Sequence, residues 1–200
     1  MTTVTTDPPA GRERLNPAAG APYAKDLSAS ATILGFASVA WLAWGSTMAP
    51  DPVAITMGIA MLLALALGVW SILLRRKAPA PSLHHGETLR SWWVWFAVEF
   101  GAIAAGNVVL GLAGHYEYAI CWTYLVMSLH FIPLGRAYRI VALAVLGALG
   151  AGIALAGAAL QGFVGIPSGP VVGGLGALAM IACGVLLNLS ARVKNRAAHS

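Results

Sequence analysis

Six long apolar runs follow one another along this chain, separated by brief polar breaks. A run of about 20 apolar residues is what a helix needs to cross the hydrocarbon core of a bilayer. The pattern predicts spans over about Ser28–Met48, Val53–Leu74, Ser91–Ala113, Tyr116–Leu134, Ala137–Leu160 and Val171–Ala191. The runs lack the two-residue alternation of a membrane barrel strand, so each is expected to be α-helical. The breaks are mostly short, so successive helices should pack as antiparallel neighbours. The expected fold is therefore all-α, an integral membrane bundle of six transmembrane helices spanning residues 28–191. Residues 1–27 are rich in Pro, Thr, Ala and Gly without helical periodicity and read as a disordered tail. Residues 192–200 read as a basic tail. The first run is expected to be kept and not cleaved as a signal peptide. It is longer than a usual signal core, and Pro50 follows the point in "STMAPDP" where a cut would fall.

Charge placement orients the bundle. Arg12, Arg14 and Lys25 precede the first span, and Arg75, Arg76, Lys77 and Arg90 separate the second from the third. Arg136 and Arg139 lie between the fourth and fifth, and Arg192, Lys194 and Arg196 follow the sixth. With six spans, all twelve Lys and Arg residues fall on one side. The opposite loops carry Asp51, His115 and Glu117 but no Lys or Arg. The positive-inside rule then predicts an N-in/C-in protein of a bacterial cytoplasmic (inner) membrane. Topology and attraction to anionic lipid account for the net charge of +5. A nucleic-acid partner is not needed to explain it.

Composition excludes a water-facing globule. Hydrophobic residues make up 58% of the chain and charged residues 10%, against about 25% charged in an ordinary soluble domain. Trp92, Trp93 and Trp95 cluster at the inner start of the third span. Trp41, Trp44 and Trp122 fall near outer ends. All six are expected in the headgroup belt that tryptophan favours.

Small residues predict where helices approach, because lipid supplies no hydrophobic drive between them. The third span carries Ala97, Gly101 and Ala105 at four-residue spacing, with Ala102 and Gly106 beside them. The fifth pairs Gly147 with Ala151, and the sixth pairs Gly169 with Gly173. These contacts are expected within one bundle. The alternative is a homo-oligomer, or a membrane-protein partner, docked through the same faces. Cys121 and Cys183 lie in apolar runs and read as small buried side chains. His84 and His85 lack a third ligand nearby. No metal and no cofactor is predicted.

Glu99 and His130 are the residues that do not belong in apolar spans. Glu99 lies ~12 Å along the third helix from Ser91, and His130 ~6 Å from the inner end of the fourth, at 1.5 Å per residue. Antiparallel neighbours would bring them to similar depths. Ala102 and Gly106 share the face of Glu99, which suggests a close neighbour there. Thr123, Met127 and His130 share a face on the fourth span, and Asn107 lies about 80° round the helix from Glu99. A protonated Glu99 facing a neutral His130 differs from an ion pair by one proton shift, so Glu99, His130, Asn107 and Thr123 form a candidate ligand or proton site. No catalytic residue is assigned.

The string "LHFIPLGRAY", residues 129–138, resembles the "HFxPLAxxF" segment of small uncharacterised bacterial multi-spanning membrane proteins. Gly135 stands where that segment has alanine, and Tyr138 where it has phenylalanine. The resemblance implies a helical bacterial membrane protein and carries no site residue with it. A structural or accessory membrane protein is the first functional reading. The alternative is a small transporter-like or proton-coupled protein using Glu99 and His130. A membrane-embedded enzyme is third, without a recognisable catalytic motif.

Overall fold

The computed structural model describes residues 22–78 and 86–197. Most of the expected N-terminal tail and the His84–His85 pair lie outside the described residues. Six helices form: α1 (Ala24–Ser46), α2 (Asp51–Lys77), α3 (Gly86–Leu112), α4 (Ala119–Ala137), α5 (Val141–Ala159) and α6 (Ser168–Ala197). A 3-10 turn, Tyr116–Tyr118, leads into α4, and a π-helical turn, Leu160–Val164, extends α5. Among the described residues there is no strand. All six helices are long and apolar enough to cross a membrane, and the protein is a polytopic membrane protein. In lipid only the helix satisfies its own backbone, which is why apolar runs of this length fold this way.

The helices overrun the expected spans. α1 begins at Ala24, which brings Asp26 and Leu27 out of the expected tail and into the packed bundle. α6 continues to Ala197, so most of the expected basic tail is its last two turns. α4 runs through Pro133 to Ala137. Hydropathy marks the hydrocarbon slab, whereas the helix continues into the headgroup region, where long basic side chains extend to water. Sharp turns separate the elements. Gly114 and Gly165 take φ near 76° and 74°, and Arg139 takes φ 57° between α4 and α5.

α1 and α6 make the centre. They run antiparallel, with Gly45 of α1 set against Gly169 and Gly173 of α6. At the other end Lys194 Nζ donates to the Pro22 carbonyl at 2.7 Å. α2 packs on α1 through Gly35 and Gly68. It lies parallel to α6, where Asn188 Nδ2 donates to Ser71 Oγ at 2.7 Å. α4 and α5 form an antiparallel pair through Gly135, Gly147 and Gly150. That pair seats Tyr124 against Gly176 of α6. The helix termini that carry Lys25, Arg75–Lys77, Arg136, and Arg192–Arg196 gather at one end, called the basic end below.

α3 stands apart. It packs substantially only on α4 and the turn before it, and none of its apolar span is buried.

Two expectations need correction. Trp41 is not a belt residue: it is 6% exposed, stands edge-on to Tyr124 at 4.8 Å, and its Nε1 meets Met127 Sδ at 3.2 Å. Position near a helix end says nothing of rotation, and rotation about α1 turns it into the core. Gly101 and Ala105 do not pack within the bundle. Both are exposed, and a Cβ at Gly101 would meet nothing within 4 Å. The stripe one position round, Ala102 and Gly106, makes the contact. On α5 the contact row is Gly147, Gly150, Ala154 and Gly157, with Ala151 half-buried at its margin.

Candidate functional site

The seam between α3 and α4 brings Glu99 to His130 and Asn107 to Thr123. His130 Nδ1 lies 3.2 Å from Glu99 Oε2, and their side chains are 7% and 10% exposed. Trp95, one turn before Glu99, lines the same groove as His130. Further along, Asn107 Nδ2 donates to Thr123 Oγ1 at 3.2 Å. Between these pairs Trp122 Nε1 donates to the Ala102 carbonyl at 3.1 Å. Its indole lies directly over Gly106, where any Cβ would overlap it.

Each contact follows from local geometry. α3 presents Glu99, Ala102 and Gly106 on one face through the three- and four-residue periodicity of a helix. α4 runs the opposite way, so rising numbers on one meet falling numbers on the other. Glycine at 106 lets the large Trp122 ring lie flat against the α3 backbone. An interhelical hydrogen bond in lipid contributes about 0.6 kcal/mol on average and up to ~1.7 kcal/mol. Three along one seam thus supply about 2 kcal/mol to a helix that has few other attachments.

The four candidate residues form two pairs and not one cluster. Glu99 meets His130 and Asn107 meets Thr123, but eight residues of α3 separate the pairs, or ~12 Å. The first pair borders a groove of about 660 Å³, walled by Trp95 and Val98 on α3 and by Leu129 and Pro133 on α4, with Arg136 at its end. Val98 and Leu129 are about half exposed, so the groove opens to the outer surface of the bundle. Arg136 lies six residues beyond His130, ~9 Å toward the basic end.

A second acid–imidazole contact sharpens the meaning of the first. His115 Nδ1 and Glu117 Oε1 are also 3.2 Å apart, but their side chains are 63% and 47% exposed. Water screens that pair and exchanges protons with it freely. Glu99 and His130 have the same geometry in a nearly enclosed apolar setting. There the ionic and neutral forms differ by one proton moved across 3.2 Å, and the surroundings decide which is favoured.

Sequence reasoning missed three features. Trp122 bridges α3 and α4 instead of standing in the belt; its only signal was the glycine four positions beyond Ala102. Asp26, fully buried near Tyr138, was hidden by its place in the polar lead-in. Asn188, fully buried, was legible as an amide inside an apolar run. Neither protein-family models, nor curated proteins, nor solved structures yield a match to this chain.

Proposed function

We propose that this is a multi-pass protein of the bacterial cytoplasmic membrane, both termini cytoplasmic, in which Glu99 and His130 form a proton-binding site within the bilayer. The observation that carries the reading is their 3.2 Å contact, nearly enclosed, on the wall of an apolar groove. An intramembrane acid beside an imidazole is the usual chemistry of a proton relay or coupling site. Arg136 lines the same groove. Uptake of a proton by the ionic form leaves a neutral acid beside an imidazolium, which ends the charge–charge attraction across the seam and so links protonation to the hold of α4 on α3. The activity class is transporter-like or proton-coupled. Support for the orientation comes from the collection of all twelve Lys and Arg residues on one side of six spans.

The test is labelling with a hydrophobic carbodiimide, which attacks protonated carboxylic acids in apolar surroundings. Native membranes are treated across a pH series and Glu99 is followed by mass spectrometry, with Glu99→Gln as control. The expected result is labelling of Glu99 that fades over a defined pH interval, an interval that moves in His130→Ala. Labelling indifferent to both pH and His130 refutes the coupled pair.

One observation favours a second reading, a structural or accessory protein that binds a membrane partner. α3 hangs on the bundle through α4, and the polar contacts then act as tethers. This reading expects Glu99→Gln to leave activity intact, and a partner to cross-link to α3 in native membranes.

A further inference from the structure

We infer that the basic end holds a specific site for an anionic phospholipid, in the cleft between α2 and α6. The cleft measures about 960 Å³ and is separate from the Glu99–His130 groove. Its floor is apolar, Trp70, Leu73 and Leu74, and its rim carries Lys77, Arg192 and Arg196. Among the described lining residues there is no carboxylate.

The register between the helices explains the arrangement. Asn188 Nδ2 is bonded to Ser71 Oγ at 2.7 Å in the fully buried layer below the cleft. Leu67 packs against Gly184 one turn earlier, at the same offset. α2 and α6 are therefore parallel and end together. Six residues beyond Ser71 comes Lys77, level with position 194, midway between Arg192 and Arg196. Arg192 and Arg196 are one turn apart and share a face. Three cations thus converge from two helices on one opening.

Charge bookkeeping selects the ligand. Both helices end here, and each C-terminus presents roughly half a negative charge. Against three cations, that leaves a net charge of about +2 at the rim. A headgroup with two negative charges complements it. The apolar floor argues for a lipid over a soluble anion: Leu73 is half exposed and offers acyl or glycerol carbon a surface, and Trp70 is placed as an interfacial anchor. Basic clefts between membrane helices at the positive side suit doubly anionic phospholipid headgroups.

The experiment is native mass spectrometry of the detergent-solubilised full chain with added tetraoleoyl cardiolipin. Singly charged phosphatidylglycerol and zwitterionic phosphatidylcholine serve as comparisons. Each cation near an anionic lipid contributes about a factor of five in binding. Arg192→Gln with Arg196→Gln is therefore expected to weaken cardiolipin retention about 30-fold. Arg192→Lys with Arg196→Lys keeps retention within a few-fold. Arg75→Gln with Arg76→Gln, which removes two charges at the same end outside the cleft, leaves it nearly unchanged. Unreactive Cys121 and Cys183 thiols report that each variant is folded. Equal loss in the Arg75/Arg76 and Arg192/Arg196 variants refutes the site, because the effect is then surface charge alone. It is also overturned if phosphatidylglycerol binds as tightly as cardiolipin, or if inorganic pyrophosphate displaces the lipid at similar concentration.

Discussion

Gly173 and Gly174 are adjacent on α6, and the structure assigns them opposite responses to the same substitution. A Cβ at Gly173 would lie 2.7 Å from the Trp41 carbonyl oxygen, 2.8 Å from the Gly45 Cα and 3.1 Å from the Gly45 nitrogen. All three atoms belong to the α1 backbone, so no side chain can rotate aside. Relief requires α1 and α6 to part by several tenths of an ångström along the central contact of the bundle. Overpacking of this kind costs about 1–3 kcal/mol. A Cβ at Gly174 would meet nothing within 4 Å. Both substitutions to alanine gain the same helix propensity, about 0.8–1.0 kcal/mol, and that gain cancels between them. The expected gap in stability is then about 1–3 kcal/mol, with Gly174→Ala the more stable. Cys121 and Cys183 supply the assay, since both are free and buried. Heating the detergent-solubilised protein with a thiol-reactive fluorophore reports unfolding as they become accessible. Equal midpoints, or a higher midpoint for Gly173→Ala, would refute the close α1–α6 crossing.

Other parts of the structure make independent predictions. Trp122→Phe keeps the ring over Gly106 but loses the bond to the Ala102 carbonyl; it should lower stability by ~0.6–1.7 kcal/mol in the same assay. Asn107→Ala and Thr123→Ala remove one shared contact, so the double variant should lose about 0.6 kcal/mol less than the sum of the singles. Arg139 sits at φ 57°, where a Cβ is unfavourable. Arg139→Gly should stabilise the α4–α5 turn by about 0.5–1 kcal/mol after the entropy of the unfolded chain is counted, again read as a higher midpoint. Tyr138, at the basic end beyond α4, has its phenol held above the ordinary value of 10.0 by burial and by the Asp26 carboxylate. A raised folded pKa means that its contribution to stability is complete below pH 10 and is lost as pH rises through the folded value. Stability measured by denaturant against pH should fall above that point in the wild type, and less steeply in Tyr138→Phe.

The legible part of this protein is what lipid demands of any chain. Glu99, Ala102 and Gly106 fall on one face by helical periodicity alone, and the antiparallel order of α3 and α4 follows from the short break between them. Those two facts bring Glu99 and His130 to similar depths, and the rotation that makes them touch comes from the fold. The choice between neighbouring stripes was not legible. Gly101 and Ala105 have the same spacing as Ala102 and Gly106, and only the position of α4 selects the second pair. Trp41 shows the same limit, because its depth follows from its place in the run but its rotation toward Tyr124 does not.

The sequence by itself determined the number of helices, their alternating direction and the collection of basic residues at one end. These depend on transfer of each segment into hydrocarbon and on the charge of each loop, both of which are local properties. Only the tertiary structure decided that α1 and α6 form the centre, that α2 runs parallel to α6 and opens a basic cleft, and that α3 stands outside. Those choices depend on which small residues let two backbones meet. Inside a bilayer every helix face is apolar enough to pack or to face lipid. Hydrophobicity therefore does not distinguish core from surface; steric fit at Gly45, Gly106 and Gly173, and polar contacts such as Glu99–His130 and Ser71–Asn188, do.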